Sequence, residues 1–189
     1  MRDQDAALVR KSQAGDKAAF GQLVTRYYEM VYALSYGVLH LHEPARDVTQ
    51  DVFLKVYRDI HKFEGKSKFK TWLYRVSVNA ALDEVRKKRP SASLDATDAT
   101  SEDERPVVIE DREAGPREEA SRRELREILD EAIRQLSPDH RAVLVMREWQ
   151  ELSYEEIAEI LNAEIGTVMS RLHYARKKLA EILKSGKKL

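Results

Sequence analysis

Between Ile165 and Leu179 the run IGTVMSRLHYARKKL sets a hydroxyl, an imidazole and an ammonium on one side of a helix-length stretch. At about 100° per residue, Val168, Leu172, Ala175 and Leu179 line one face, while Ser170, His173 and Lys177 lie opposite. Short hydrogen-bonding groups facing water suit the edges of bases in a major groove, and the cations Arg171, Arg176, Lys177 and Lys178 suit phosphates. No nucleophile, base and orienting group can be assembled from these residues, so their chemistry is recognition and not bond making.

A second basic stretch, KFEGKSKFKTWLYRVSVNAALDEVRKKR, interleaves Phe63, Phe69, Trp72 and Tyr74 with Lys62, Lys66, Lys68, Lys70 and Arg75. A duplex hides its base faces, so aromatic rings beside cations suit single-stranded or locally melted nucleic acid, where stacking contributes roughly 1–3 kcal/mol per base. Phe69 and Leu73 fit a core stripe. Trp72, next to that stripe, fits either a core or a stacking surface. The histidines offer little else: His40 and His42 in "HLH" have weak metal spacing, and with 0 cysteines there is no thiolate site, disulfide or thiol nucleophile. No catalytic residue, metal or cofactor is assigned.

The formal net charge of +0 hides a segregation along the chain. Residues 1–89 carry 17 basic against 11 acidic side chains, residues 90–120 carry 3 against 10, and residues 121–189 carry 13 against 12. Two basic patches therefore flank an acidic middle. No apolar run reaches the roughly 20 residues of a membrane span, and the start, MRDQDAALVRK, lacks the apolar stretch of a signal peptide. A cytoplasmic protein is expected.

The elements that must position these residues read as helices throughout. Gly15-Asp16 breaks an early helix, and Phe20, Leu23, Val24, Tyr27, Val31 and Leu34 recur at helical spacing from Lys17 to Leu39. Pro44 suits the first turn of the next helix, where Val48, Val52, Val56 and Ile60 recur every four residues and Asp47, Gln50, Asp51, Lys55 and Arg58 stay polar. Gly65 ends it. A further helix from about Ser67 to Arg89 buries Phe69, Leu73, Val76 and Ala80 and stops at Pro90.

The stretch 90–120, rich in Ser, Thr, Asp, Glu and Pro, reads as a flexible acidic linker, with a short apolar patch at Val107, Val108 and Ile109. Beyond it, Leu125 to Leu136 is amphipathic, Ser137-Pro138 is a cap followed by proline at the first helical position, and Ser153 with Glu156 forms a capping box. A short helix, a break at 162–164 and a longer basic helix make helix-turn-helix order. The expected fold is all-α: two small helical domains, 1–89 and 121–189, joined by the linker.

Several pieces in this order resemble a bacterial RNA polymerase sigma factor of the extracytoplasmic function (ECF) group, which keeps only sigma regions two and four. The matching runs are ARDVTQDVFLKVYR (45–58), FEGKSKFKTWLYRVSVNAALDEVRKKR (63–89) and the region-four stretch from Leu136 to Leu179. The resemblance implies that Asp47, Gln50, Asp51, Lys55 and Arg58 meet the clamp helices of the polymerase's largest subunit, with the polymerase flap as a further contact of the chain. It implies minus-ten recognition and melting by Phe63, Lys66, Ser67, Lys70, Trp72, Arg75, Asn79 and Arg86. It implies minus-thirty-five reading by Thr167, Met169, Ser170, Arg171, His173, Tyr174, Arg176, Lys177 and Lys178.

The partners so implied are core RNA polymerase, promoter DNA and an anti-sigma factor, with the free chain a monomer and the acidic linker running toward the polymerase active-site cleft. Met169, Tyr174 and Lys66 depart from residues common in the group, as does Glu164 where serine often caps the recognition helix, so the promoter sequence is not transferable from a relative. The competing expectation is a stand-alone helix-turn-helix regulator that binds its site without polymerase.

Overall fold

The computed structural model describes residues 5–88 and 127–186, and the acidic segment 90–120 lies outside them, as does Arg89. Among the described residues every regular element is helical. α1 (Ala6–Gln13) ends at Gly15, whose φ of 92° is a left-handed turn that glycine takes without a Cβ penalty. α2 (Lys17–Leu39) starts where the Asp16 carboxylate accepts from the Ala18 and Ala19 amides at 2.9 and 3.0 Å. α3 (His42–Asp59) runs into a 3-10 turn (Ile60–Lys62), and α4 (Phe69–Lys88) follows the basic loop. The helix expected from about Ser67 thus begins two residues later.

The spacing anticipated on α2 and α3 is the packing observed. Leu23, Tyr27, Val31 and Leu34 close against Val48, Val52, Val56 and Ile60, with Phe69 and Leu73 of α4 completing the core. Phe20 and Val24, one step off the stripe, are half-buried. Gln13 donates its side-chain amide to the carbonyls of Ile60 and Phe63, both at 2.9 Å, and so ties α1 to the entry of the basic loop.

In the carboxy-terminal half, α5 is described over 127–134. α6 (Pro138–Glu148) has the Ser137 cap, and α7 (Tyr154–Leu161) has the capping box, with Ser153 and Glu156 exchanging bonds of 2.8 and 3.2 Å. Asn162, left-handed at φ 48°, turns the chain into α8 (Ile165–Gly186). Ile157, Ile160, Val168, Leu172 and Ala175 pack these helices on Val143 and Met146.

The halves expected as separate domains are docked, α2 against α6 and α4 against α6 and α7, with one buried apolar cluster running through both. Gly37 permits this approach: a Cβ at its position would stand 2.6 Å from Val145 Cγ2. Docking also changes which face of α4 is buried. Val76 and Ala80, expected in the core, are half-buried, whereas Tyr74, Ser77, Val78 and Ala81 are buried because α4 is covered from two sides. Tyr74 donates its hydroxyl to Gln150 Oε1 at 2.8 Å across the junction, and burial together with the Glu156 charge pushes its phenol up to about 12.

Candidate nucleic-acid and protein interfaces

On α8 the residues separate by face as the spacing predicts. Val168, Leu172 and Ala175 are buried and Leu179 half-buried, while Met169, Ser170, His173, Tyr174, Arg176, Lys177 and Lys178 are exposed. The left-handed Asn162 sets the angle between α7 and α8, so α7 supports the helix from behind and its outer face stands clear. Thr167 is half-buried in the first turn, and its carbonyl accepts from the Ser170 hydroxyl at 3.0 Å. Two exposed apolar side chains, Met169 and Tyr174, flank His173, with the His173 and Tyr174 rings 5.8 Å apart.

Two of the expected phosphate contacts are tied to this half of the chain. Arg176 donates from Nε to Glu148 Oε1 at 3.1 Å, and that bond to Glu148 raises its pKa further above the ordinary guanidinium value. Arg171 lies 3.9 Å from Asp139 and is half-buried. Both pairs are exposed enough for solvent screening, so exchanging a carboxylate for a phosphate costs little.

The basic loop and α4 carry the second set. Phe63, Phe69 and Trp72 form one aromatic group, with Trp72 5.3 Å from Phe63 and 5.9 Å from Phe69 by ring centroid. Phe69 is buried and belongs to the core, whereas Phe63 and Trp72 are half-buried and keep an outer edge in solvent. Trp72 is thus anchored and partly presented at once. Lys70 lies 5.7 Å over the Tyr74 ring, and Lys66 pairs with Glu64. Ser67 is half-buried, Asn79 is exposed, and Arg86 pairs with Asp83 at 3.0 Å on the exposed side. Arg75 is the exception. Its guanidinium donates to the Glu159 carbonyl of α7 at 2.8 Å, so docking engages it. Tyr74, part of the cation-aromatic pattern, is a buried junction residue here and presents no stacking face.

The third set lies on α3, where Asp47, Gln50, Asp51, Lys55 and Arg58 are all exposed along one side. The spacing argument overlooked two neighbours: Leu54 and Tyr57 are 61 % and 43 % exposed and border a shallow groove with Asp51, Lys55 and Arg58. An exposed tyrosine beside an arginine, with an apolar leucine next to them, fits the make-up of a protein interface. Their position off the four-residue valine stripe was the available signal. Tyr57 is held by edge-on contact with Phe20 at 4.9 Å, and Asp59 at the end of the helix is kept below the usual carboxylate range by its hydrogen bond from Lys62.

Among the described residues, an all-helical fold with a helix-turn-helix at one end, an aromatic-basic helix in the other half and an exposed polar-apolar face on α3 fits the class of DNA-reading proteins that also bind a protein partner. Family models agree, Sigma-70 region 2 over residues 23–90 and Sigma-70 region 4 over residues 126–179. The chain is 37 % identical over 188 residues to the RNA polymerase sigma-H factor of Pseudomonas aeruginosa, covering 96 % of this chain and 95 % of that one. It is 35 % identical over 179 residues to the ECF sigma factor SigW of Bacillus subtilis, covering 93 % and 95 %. It is 37 % identical over 176 residues to the ECF sigma-E factor of Escherichia coli, covering 92 % and 91 %.

The same fold occurs in CnrH bound to the cytosolic domain of CnrY, with a TM-score of 0.70, 24 % identity and 97 % and 99 % of the chains covered. It recurs in RpoE bound to the anti-sigma factor NepR from Bartonella quintana, with a TM-score of 0.64, 23 % identity and 87 % and 96 % covered. The chain belongs to the ECF sigma factors of the sigma-70 family. Its function is accordingly promoter-specific transcription initiation and not catalysis, a reading favoured over the stand-alone regulator. No helix among the described residues is long and apolar enough to cross a membrane.

Proposed function

We propose that the three exposed sets divide the work of initiation as follows. Asp47, Gln50, Asp51, Lys55 and Arg58, with Leu54 and Tyr57 as apolar anchors, dock on the clamp helices of core polymerase. Phe63, Lys66, Ser67, Lys70, Trp72, Arg75, Asn79 and Arg86 hold the minus-ten strand as it leaves the duplex, and stacking on Trp72 offsets pairing lost on melting. Thr167, Met169, Ser170, His173 and Tyr174 read the minus-thirty-five duplex, while Arg171, Arg176, Lys177 and Lys178 neutralise its phosphates.

The observation that carries this reading is the division of α8 into a buried face of Val168, Leu172 and Ala175 and an exposed face that carries Ser170, His173 and the cations beside Met169 and Tyr174. The segment 90–120, whose acidic side chains outnumber basic ones 10 to 3, acts in the polymerase cleft as a mimic of nucleic acid. The free protein is a cytoplasmic monomer held inactive by an anti-sigma factor. Support for that partner comes from the fold shared with CnrH and with RpoE, each of which was solved bound to another protein.

Run-off transcription with sigma-free core polymerase on a library of promoter fragments tests the assignment. Starts that appear only when the protein is added, and that move with both promoter elements, are expected. Tight binding of the chain to DNA without any polymerase-dependent start would overturn it.

A further inference from the structure

His40 closes α2 in the left-handed region, at φ 54°, with its amide bonded to the Tyr36 carbonyl at 2.7 Å. That turn carries the imidazole into the junction between the two halves, where it is 5 % exposed. Neither ring nitrogen has a hydrogen-bond partner among the described residues. The ring borders a cavity of about 340 Å³ shared by both halves, with Gly37, Ile133, Val145 and Trp149 among its walls.

Every element packed around this ring contributes a titratable or charged group. α2 supplies Glu29 and the phenols of Tyr32 and Tyr36, α3 supplies His42, α5 supplies Asp130 and Arg134, and α6 supplies Arg141. Glu29 and Asp130 line the same cavity, yet neither carboxylate accepts from the ring. The two cations that act on His40, Arg134 and Arg141, both come from the carboxy-terminal half. A proton on His40 would therefore place an unsolvated imidazolium against two guanidinium charges across the junction, with no acceptor to offset it.

We propose that the junction between the halves is an acid-labile latch, opened by protonation of His40. Burial, and then the Arg141 and Arg134 charges, hold the docked imidazole at about 4, against an ordinary value of 6.5 that the ring regains when the halves part. The docked form keeps its full advantage above pH 6.5 and loses it progressively toward pH 4. Between pH 7.5 and 5.5 the fraction undocked rises about tenfold. Asp130 works the other way: burial raises its carboxyl above the ordinary 3.8, so acid favours docking there, and His40→Asn, which keeps Asp130, separates the two contributions. Undocking releases Arg75 from the Glu159 carbonyl, and the consequence for transcription rests on the promoter role assigned to Arg75 above.

The chain has no cysteine, so a thiol placed in the junction is a unique probe. Val145→Cys sets it against Gly37, where Val145 is 2 % exposed. The rate of its reaction with a pyridyl disulfide, divided by the rate for an unstructured peptide at each pH, reads the undocked fraction however small, without DNA or polymerase. The expected result is a rise of about tenfold from pH 7.5 to 5.5 that is absent in His40→Asn, since asparagine tolerates the left-handed backbone and does not titrate. An equal rise in His40→Asn, or a flat profile with His40 present, overturns the latch. If His40→Asn does not fold, His40→Gly, which keeps the left-handed backbone and does not titrate, decides: a flat profile supports the latch and an equal rise overturns it. A latch that opens without raising run-off transcription would fault the role of Arg75 and leave the latch standing.

Discussion

Arg75, in the middle of α4, donates a 2.8 Å hydrogen bond to the main-chain carbonyl of Glu159 near the end of α7. One guanidinium from the aromatic-basic helix thus contacts the first helix of the helix-turn-helix. The same junction holds Tyr74 to Gln150 and brings Gly37 under Val145, so the two halves meet through specific contacts rather than loose apolar adhesion.

Gly37 is the position at which that junction can be loosened without harming either half. In Gly37→Ala the added Cβ falls 2.6 Å from Val145 Cγ2, while alanine within α2 favours the helix by about 0.5–1 kcal/mol. The expected outcome is a folded chain with a larger radius of gyration in small-angle X-ray scattering, and recovery of compactness when Val145→Ala is added. Additive effects of the two substitutions would show that the residues do not touch.

Leu54 is largely exposed, so Leu54→Glu should leave helicity and the melting temperature unchanged while weakening core polymerase binding about tenfold, on the order of 1.4 kcal/mol. Fluorescence anisotropy with labelled protein and core enzyme measures it. Unchanged affinity would remove α3 from the polymerase interface.

Lys177 and His173 share the exposed face of α8 but should fail differently. Lys177→Ala should weaken binding evenly across sequences and reduce the salt slope by about 1. His173→Ala should relax preference at one minus-thirty-five position, a loss of roughly 1–3 kcal/mol confined to that base pair. Holoenzyme binding to a randomised promoter set, at several salt concentrations, separates the two.

Trp72 is packed on Phe63 and Phe69 with an outer edge in solvent, so Trp72→Ala should lower both the melting temperature and promoter opening. Permanganate reactivity of minus-ten thymines, measured at a temperature where circular dichroism shows the variant folded, isolates the second effect. A stacking contribution of roughly 1–3 kcal/mol predicts a fall of about fivefold to 150-fold in open complex. Normal opening in the folded variant would assign Trp72 to the core alone.

Helix type, caps and, outside α4, the buried faces were legible in the sequence because each depends on neighbours a few residues apart. Asp16, Ser137, Ser153 and Asn162 act within one turn of their own positions. The valines of α3 and the apolar stripe of α8 recur at the helical period, so Asp51, Lys55, Arg58, His173 and Lys177 could be placed in solvent from spacing alone. Trp72 was ambiguous for a physical reason: a ring at the margin of a stripe is anchored by one edge and exposed by the other.

What spacing could not reveal was contact between residues far apart in the chain. Tyr74 lies on the same helix as Lys70 and Arg75, but only the approach of α6 and α7 turns it from a presented ring into a buried donor. Leu54 and Tyr57 needed the whole of α3 seated before their exposure meant anything. The sequence by itself determined the helices, their caps and which residues are polar on each face, because local backbone chemistry and periodicity suffice for that. Only the tertiary structure decided that the halves dock, that Gly37 admits Val145 and that His40 is enclosed against Arg134 and Arg141, because burial and charge between distant segments exist only once the chain has closed on itself.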